Sequence, residues 1–326
     1  MKSKNGLWVI FLLVWACGDR TAEESIVEEE ISYAPVPAFN ADSAYVYIEK
    51  QVEFGPRVPN SASHEAAGQW LEKKLENFGW KVQLQQFTAT TYNGSVLNLT
   101  NIIASHNPEA SKRILLAAHW DTRRMADKDS ERISEPIDGA NDGGSGVGVL
   151  LEIARVLSSS ELQPEVGVDI ILFDGEDDGE PEYQRTRDNR QIWWCLGSQH
   201  WSKNPHKSGY TAYYGILLDM VGGKSARFYK EGYSMQYAKN VVDKVWRYGH
   251  AIGHSDFFPM RRTEAITDDH LFVNEEANIP MINIIEYSPD YGFGHFHHTH
   301  DDNMDLIDKK TLEVVGETVL FTIYQE

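Results

Sequence analysis

Histidine and acidic residues follow several apolar, β-rich segments of this 326-residue chain. These are His119 and Asp121 after segment 114–118, Glu176 and Asp177 after segment 170–173, and Asp219 after segment 216–218. In open α/β sheets, ligands bind beyond the carboxyl ends of the strands, so these side chains are expected to converge at one edge. His, Asp and Glu are also zinc-type ligands. The pattern therefore predicts a metal site at this edge of the sheet.

Two further groups extend the pattern. Asp142 stands just before a helix that opens with glycines, and histidines cluster at 295–300 after the last apolar segment. Glu176 adjoins Asp177, so one carboxylate can face a metal while its neighbour serves as a base. Hydrolytic zinc sites need this division of roles.

Each of these residues also has a purely structural interpretation. Asp142 could cap the following helix, and Asp219 could be an ordinary turn residue. Asp177 and Asp178 could lie in a solvated acidic loop, and the histidines could form a surface patch. Because ligand-type residues recur at several independent strand ends, the metal site is the preferred interpretation.

The spacing of apolar residues predicts the elements that position these side chains. Helical spacing occurs in 44–54, 62–78, 145–157, 234–250 and 310–324, and β-type segments are 80–91, 96–105, 113–119, 166–173, 212–220 and 280–287. Strands that alternate with helices indicate an α/β sandwich around a mostly parallel sheet. The sequence has no internal repeat, and residues 41–326 are predicted to form one catalytic domain.

Composition excludes several classes of protein. The chain has 30 Lys and Arg against 49 Asp and Glu, a formal net charge of −19, which argues against nucleic acid as a partner. No apolar run suits a multi-span membrane protein. The 2 cysteines, Cys17 and Cys195, cannot form a disulfide framework. Cys195 is expected to be a buried small hydrophobic residue.

The N-terminus resembles a bacterial lipoprotein signal. Lys2 and Lys4 precede an apolar stretch, residues 6–16, that is too short to span a bilayer comfortably, and Cys17 follows it. Residues 1–17 are therefore predicted to be a signal peptide and residues 18–40 an acidic tether. A plain secretory peptide is the alternative. The predicted location is the cell envelope, either periplasmic or membrane-anchored, with membrane contact only through a lipid on Cys17.

Beyond about residue 40, the chain resembles the zinc aminopeptidase superfamily of the M28 type. Within it, the chain is most similar to the animal-type (type II) glutaminyl cyclases and their bacterial relatives. The motifs that carry this resemblance are Asp138-Gly139-Ala140-Asn141-Asp142, Trp194-Cys195-Leu196-Gly197-Ser198, Leu217-Leu218-Asp219-Met220-Val221-Gly222, Thr267-Asp268-Asp269-His270 and His298-Thr299-His300-Asp301-Asp302-Asn303. The resemblance implies a three-layer sandwich around a mixed, mostly parallel sheet.

The resemblance also implies roles for individual residues. Asp142, Asp177 and His298 match the three ligands of a single catalytic zinc ion. His119 matches the ligand position for a second metal in the aminopeptidases, which the cyclases keep without using it for zinc.

Three acidic residues beside the implied metal site match positions that take part in proton transfer in the family. Glu176 matches the general acid/base, and Asp219 and Asp268 match two acidic residues that form a hydrogen-bond network beside it.

Two positions depart from the family pattern. Many animal-type cyclases have Glu where Asp177 stands, which changes the geometry of the site more than the choice of metal. The family usually has Trp, which packs against the substrate, immediately before the zinc-binding His. Here that position is His297, and either Trp194 or Phe296 could supply the apolar surface instead.

The activity that the resemblance implies is conversion of N-terminal Gln in peptides or proteins to pyroglutamate with release of ammonia. The substrate's own α-amine is the nucleophile, so Cys195 is not needed as one. A di-zinc aminopeptidase is the first alternative, because every possible second-metal ligand is present. A non-catalytic lipoprotein that binds peptides or metal is the second, but such a protein has no need of Glu176 as a base.

Overall fold

Six strands form the central sheet of the computed structural model, which describes residues 32–184 and 191–326. They are β1 (Lys81–Thr90), β2 (Val96–His106), β3 (Arg113–His119), β4 (Gly167–Phe173), β5 (Tyr214–Asp219) and β6 (Met281–Ile285). Their spatial order is β1-β2-β4-β3-β5-β6. The pairs β1–β2 and β2–β4 are antiparallel, whereas β3 pairs in parallel with β4 and β5, and β5 with β6. The expected mixed, mostly parallel sheet is confirmed.

Helices cover both faces of this sheet. They are α1 (Ala41–Glu53), α2 (Ala62–Asn77), α3 (Gly144–Ser159), α4 (Leu196–Lys203), α5 (Gly232–Tyr237), α6 (Lys239–Ala251), α7 (Asp269–Glu275) and α8 (Lys309–Tyr324). Leu116 and Ala118 of β3 belong to the larger core, with α1, α3 and α8. Leu115 and Ala117 point the other way, into a core with Trp201 of α4 and Val273 of α7. Successive side chains of β3 point to opposite faces of the sheet, so each face contributes to a different core of a three-layer sandwich.

Three helical features differ from the expectation. The predicted helix 234–250 is two helices, α5 and α6, with Ala238 in a non-helical conformation between them (φ −135°, ψ 35°). Local contacts fix α5 separately, because Glu231 accepts backbone N–H groups at its start and the Ser234 hydroxyl accepts the N–H of Asn283 in β6. The short helices α4 and α7 were not predicted, since about two turns carry little periodicity.

The last part of the predicted tether packs against the domain. The compact unit is Ala34–Glu326. Ala34 and Gln325 exchange two hydrogen bonds, Phe39 is buried, and Asn40 caps α1. The predicted signal segment 1–17 and most of the tether lie outside the described residues, so lipidation of Cys17 and the cell-envelope location stay predictions. Within 32–184 and 191–326, no helix is long and apolar enough to cross a membrane.

Glycine at position 146 allows α3 to pack tightly on the sheet. A Cβ atom there would lie 2.2 Å from the carbonyl oxygen of Leu218 and 2.9 Å from the side chain of Ala118. Backbone cannot yield as a flexible side chain can, so the first turn of α3 would have to move away from β3 and β5.

We therefore expect Gly146→Ala to destabilise the protein, although alanine is the better helix former. The overpacking should lower the free energy of unfolding by about 1–3 kcal/mol, measured by urea denaturation. Ser159→Ala, at the exposed end of the same helix, is the control and should change the free energy of unfolding by less than about 0.5 kcal/mol. Equal or greater stability of Gly146→Ala would contradict the packing argument.

Candidate active site

The carboxyl ends of β3, β4 and β5 bring the predicted site residues together. His119 ends β3, and its Nε2 lies 3.1 Å from Asp142 Oδ1 and 3.3 Å from Asp219 Oδ1 at the end of β5. Asp121 accepts the backbone N–H groups of Glu176 and Asp177 at 3.1 and 3.2 Å. These two bonds fix the loop after β4 against the end of β3.

Asp142, Asp177 and His298 form a compact group of ligand-type atoms. His298 Nε2 lies 3.1 Å from Asp177 Oδ1 and 3.9 Å from Asp142 Oδ2. Asp142 Oδ2 and both carboxylate oxygens of Asp177 are buried without a hydrogen-bond partner. Ligands about 2.0–2.2 Å from a tetrahedral zinc ion lie roughly 3.3–3.6 Å apart. The donor types, the two distances from His298 and these unpartnered oxygens fit a zinc ion. A ring nitrogen of His297 also lies within 4.8 Å of ligand-type atoms of Asp142 and His298.

His298 is prepared to act as a neutral ligand. Burial lowers the pKa of its imidazole well below the ordinary value, so the ring is uncharged near neutral pH. Its other nitrogen, Nδ1, lies 3.6 Å from Asp127 Oδ1, and Asp127 is held by Arg123. A carboxylate behind a ligating imidazole commonly orients the ring.

Glu176 lies beside this group with an electrostatic environment that suits proton transfer. Burial raises the pKa of Glu176 well above its ordinary value, and the carboxylates of Asp177 and Asp268 raise it further. Its Oε1 is 3.3 Å from the Cys195 thiol. The expectation that Cys195 is buried is confirmed. A carboxylate with a raised pKa can both accept and return a proton near neutral pH.

Asp219 and Asp268 lie close to Glu176 and to each other. Burial raises the pKa of Asp219 to about 7, and the charges of Asp268 and Asp142 contribute. Burial also raises the pKa of Asp268, whose Oδ2 accepts a hydrogen bond from the Asn283 amide. Asp268 and Glu176 offer atoms within 4.8 Å of each other, and the hydrogen-bond network that includes Asp219 stays a prediction.

His119 lies behind the ligand group rather than within it. A nitrogen of His119 and oxygens of Asp142 and Asp219 all lie within 4.8 Å of one another, which is spacing that a second cation could use. Here the ring is hydrogen-bonded to Asp142. Burial alone would lower the pKa of His119, but the surrounding carboxylates raise it well above its ordinary value. A protonated His119 can occupy the place of a second cation.

Two charged residues that the sequence analysis missed hold the loop carrying Asp142. Arg57 is fully buried and donates to the carbonyl oxygens of Trp120, Asp138 and Gly139. The Asp302 carboxylate accepts the backbone N–H groups of Asn141 and Asp142. Asp302 lies in one of the motifs that carry the family resemblance, so the sequence offered a signal for it. Arg57 lies far from the other site residues in sequence, and its position between Pro56 and Pro59 is the one local feature that distinguishes it.

Most of the predicted site residues border one cavity of about 630 Å³. Its lining includes six of the seven predicted site residues: Asp142, Glu176, Asp177, Asp219, Asp268 and His298. Trp194 lines it too, with its ring parallel to that of His298 at 5.6 Å and the Arg123 guanidinium over the indole at 4.6 Å. Phe296 lies in the core beneath, and Phe293, which the sequence analysis did not single out, is the phenylalanine that lines the cavity.

His297 also lines the cavity, with its ring packed between two others. The ring stacks on Phe293 at 3.9 Å and on His298 at 3.7 Å, and its Nδ1 lies 2.6 Å from Lys128 Nζ. Burial lowers the pKa of His297 to about 3. With both faces of its ring covered, His297 cannot offer the substrate a flat aromatic surface as tryptophan would.

Known proteins place this fold and site in a family. The profile of Peptidase family M28 matches residues 101–323, about two thirds of the chain. The chain is similar to Bacteroides thetaiotaomicron glutaminyl cyclase, whose crystal structure was solved with N-acetylhistamine bound. The two share 51% sequence identity over 90% of this chain and 100% of that one, with a TM-score of 0.86.

Two further relatives show the breadth of the group. A structure described as a leucine aminopeptidase precursor, also from Bacteroides thetaiotaomicron, is 51% identical, with 90% of this chain and 99% of that one covered and a TM-score of 0.85. The Drosophila melanogaster glutaminyl-peptide cyclotransferase is 26% identical over 79% of this chain and 73% of its own length. The chain therefore belongs to peptidase family M28, in a branch of it that contains bacterial glutaminyl cyclases.

Proposed function

We propose that this protein is a zinc-dependent glutaminyl cyclase, which converts the N-terminal Gln of peptides or proteins into pyroglutamate and releases ammonia. The observation that carries this is Glu176, a carboxylate with a raised pKa that opens into the same cavity as Asp142, Asp177 and His298. The similarity to a solved glutaminyl cyclase along almost the whole chain supports the choice of reaction.

The reaction is intramolecular, and the residues of the site suit it. The substrate's α-amine nitrogen bonds to Cδ, the carboxamide carbon of the Gln side chain, the bond between Cδ and the amide nitrogen breaks, and that nitrogen leaves as ammonia. A zinc ion bound by Asp142, Asp177 and His298 would polarise the γ-carbonyl as a Lewis acid. Glu176 takes a proton from the attacking amine and returns it to the departing nitrogen. Holding amine and carbonyl together removes most of the entropic cost of ring closure.

One zinc ion per chain is part of this proposal. Asp142 faces the ligand group with Oδ2, which has no partner, whereas its Oδ1 is hydrogen-bonded to His119. His119 thus contacts one oxygen of Asp142 and leaves the other oxygen to face the ligand group.

A di-zinc aminopeptidase remains the second candidate because of one observation: His119, Asp142 and Asp219 are spaced for a cation. In that reaction the metals act on the backbone carbonyl and on a water molecule. Cyclisation instead needs the side-chain carbonyl beside the metal. The two activities therefore place different atoms of the substrate at the same position.

We expect purified protein to retain one zinc ion, and His298→Ala to lose it. His295→Ala, an exposed histidine of the same loop, should keep the metal and serves as the control. Elemental analysis after dialysis measures both. Two equally retained zinc ions in the unaltered protein would contradict the single-zinc proposal.

Zinc affinity should fall as the solution is acidified. Ligands bind metal only when deprotonated. Burial and the Asp142 charge raise the pKa of Asp177 well above its ordinary value in the metal-free chain, so protons compete for it at higher pH than for an exposed Asp. Chelator competition across a pH series would show this, and an affinity that rises on acidification would argue against Asp177 as a ligand.

We expect Glu176→Gln to remain folded and zinc-bound while turnover falls by about 10²–10⁴-fold, the typical contribution of a general acid/base. The replacement has nearly the same shape but cannot accept and return the proton. Glu65→Gln, an exposed residue of α2, makes the same chemical change away from the site and should leave turnover unaltered. Near-normal turnover of zinc-bound Glu176→Gln would reassign the base to Asp268 or Asp219.

Two peptides that differ only in their first residue distinguish the two candidate functions. A peptide with N-terminal Gln should lose the mass of one ammonia, and one with N-terminal Leu should be unchanged. Mass spectrometry follows both, and the zinc-bound Glu176→Gln variant is the negative control. Removal of the first residue from either peptide, without loss of ammonia, would replace cyclase by aminopeptidase while leaving the metal ligands as assigned.

A further inference from the structure

His297 presents an edge, not a face, to the cavity. The rings of Phe293 and His298 lie nearly parallel to it, at 3.9 and 3.7 Å between centroids. Two rings this close cannot share one side, so each covers one face. The side chain is only 7% exposed, yet it lines the cavity. Contact with a substrate is therefore made through the rim of the imidazole.

Lys128 determines which nitrogen of His297 carries hydrogen. Its Nζ lies 2.6 Å from His297 Nδ1. Burial lowers the pKa of Lys128 below its ordinary value, but the carboxylates of Glu182, Asp127 and Asp142 favour the charged form. In that form the ammonium group donates hydrogen bonds and cannot accept them, so Nδ1 is the acceptor. In the neutral ring the hydrogen then resides on Nε2. Lys128 also donates its backbone N–H to the carbonyl oxygen of His298, at 3.3 Å, which anchors it to the same loop.

The Nε2–H group is free to donate to a bound molecule. Among residues 32–184 and 191–326, the hydrogen bond to Lys128 is the one that the ring of His297 makes. A ring nitrogen of His297, a carboxylate oxygen of Asp142 and a ring nitrogen of His298 all lie within 4.8 Å of one another. The rim of His297 is thus close to the atoms that would hold the zinc ion.

We propose that His297 is a further catalytic residue, whose Nε2–H donates a hydrogen bond to the oxygen of the substrate carbonyl under attack. This rests on the proposed function, in which that carbonyl is the γ-carboxamide of the N-terminal Gln. Negative charge develops on this oxygen as the amine adds to the carbon. A donor already fixed by Lys128 and by two stacked rings stabilises that charge without reorganising.

Replacement of His297 separates this role from packing and from metal binding. His297→Phe keeps an aromatic ring between Phe293 and His298 but has no N–H. We expect kcat to fall by about 10²-fold, the low end of the loss of one oxyanion donor, with KM changed by less than roughly threefold because the donor acts mainly in the transition state. Zinc content should be unchanged. His295→Phe, in an exposed part of the same loop, is the matched control and should keep full turnover.

Two further variants test the donor itself. His297→Gln can place an amide N–H near the position of Nε2, and we expect it to recover part of the kcat that His297→Phe loses. Lys128→Met removes the group that selects the tautomer. ¹⁵N NMR of labelled histidine should show hydrogen on Nε2 of His297 in the unaltered protein and a mixture of tautomers in Lys128→Met.

The outcomes separate this inference from the proposed function. Failure of the unaltered zinc protein to cyclise a Gln peptide would reject the proposed function, before any variant is considered. With a cyclising protein, wild-type kcat in His297→Phe would overturn the inference. Loss of zinc from His297→Phe would also overturn it and make His297 a metal ligand. An NMR spectrum that places the ring hydrogen of His297 on Nδ1 would also overturn the inference.

Discussion

The site depends on keeping several carboxylates close together away from water. Asp142, Asp177, Asp219 and Asp268 are each at most 7% exposed, and Glu176 stands among them. Burial and mutual repulsion both penalise their charged forms. The raised pKa of Glu176 and that of Asp219, near 7, express this penalty. A divalent cation, or protons shared among the acids, relieves it, and a metal-dependent acid–base site is therefore a physically natural use of the cluster.

Much of the surrounding structure serves to hold these acids in place. Arg57 donates its hydrogen bonds to carbonyl oxygens at both ends of the loop that connects β3 to α3. Asp121 and Asp302 each accept two backbone N–H groups, from the loops that carry Asp177 and Asp142. Bonds to main-chain groups fix the direction of a loop more firmly than contacts between mobile side chains. The positions of Asp142 and Asp177 are thus set by the backbone.

The sequence predicted the parts of this arrangement that follow from sheet geometry. Residues such as His119 and Asp219 come directly after apolar segments, and parallel strands end at one edge, so their convergence could be expected. Arg57 could not be found this way, because its partners are main-chain oxygens and leave no mark in the pattern of side chains. The break at Ala238 was missed because the helical spacing of apolar residues continues across it. The hydrogen bond between Lys128 and His297 joins residues 169 positions apart, and no local pattern predicts it.

Two aromatic residues, Trp194 and His297, line the cavity beside the ligand group. Trp194 lies parallel to His298 and is itself covered by the guanidinium of Arg123, at 4.6 Å. The indole therefore packs on the ring of His298 and beside Arg123, as an aromatic part of the cavity lining. A glutamine side chain has both an apolar stem and a polar carboxamide. An aromatic face suits the methylene groups, whereas a hydrogen-bond donor suits the carboxamide oxygen. Under the proposed function, the indole of Trp194 would contact the methylene groups and the Nε2–H of His297 would contact the carboxamide oxygen, in one cavity.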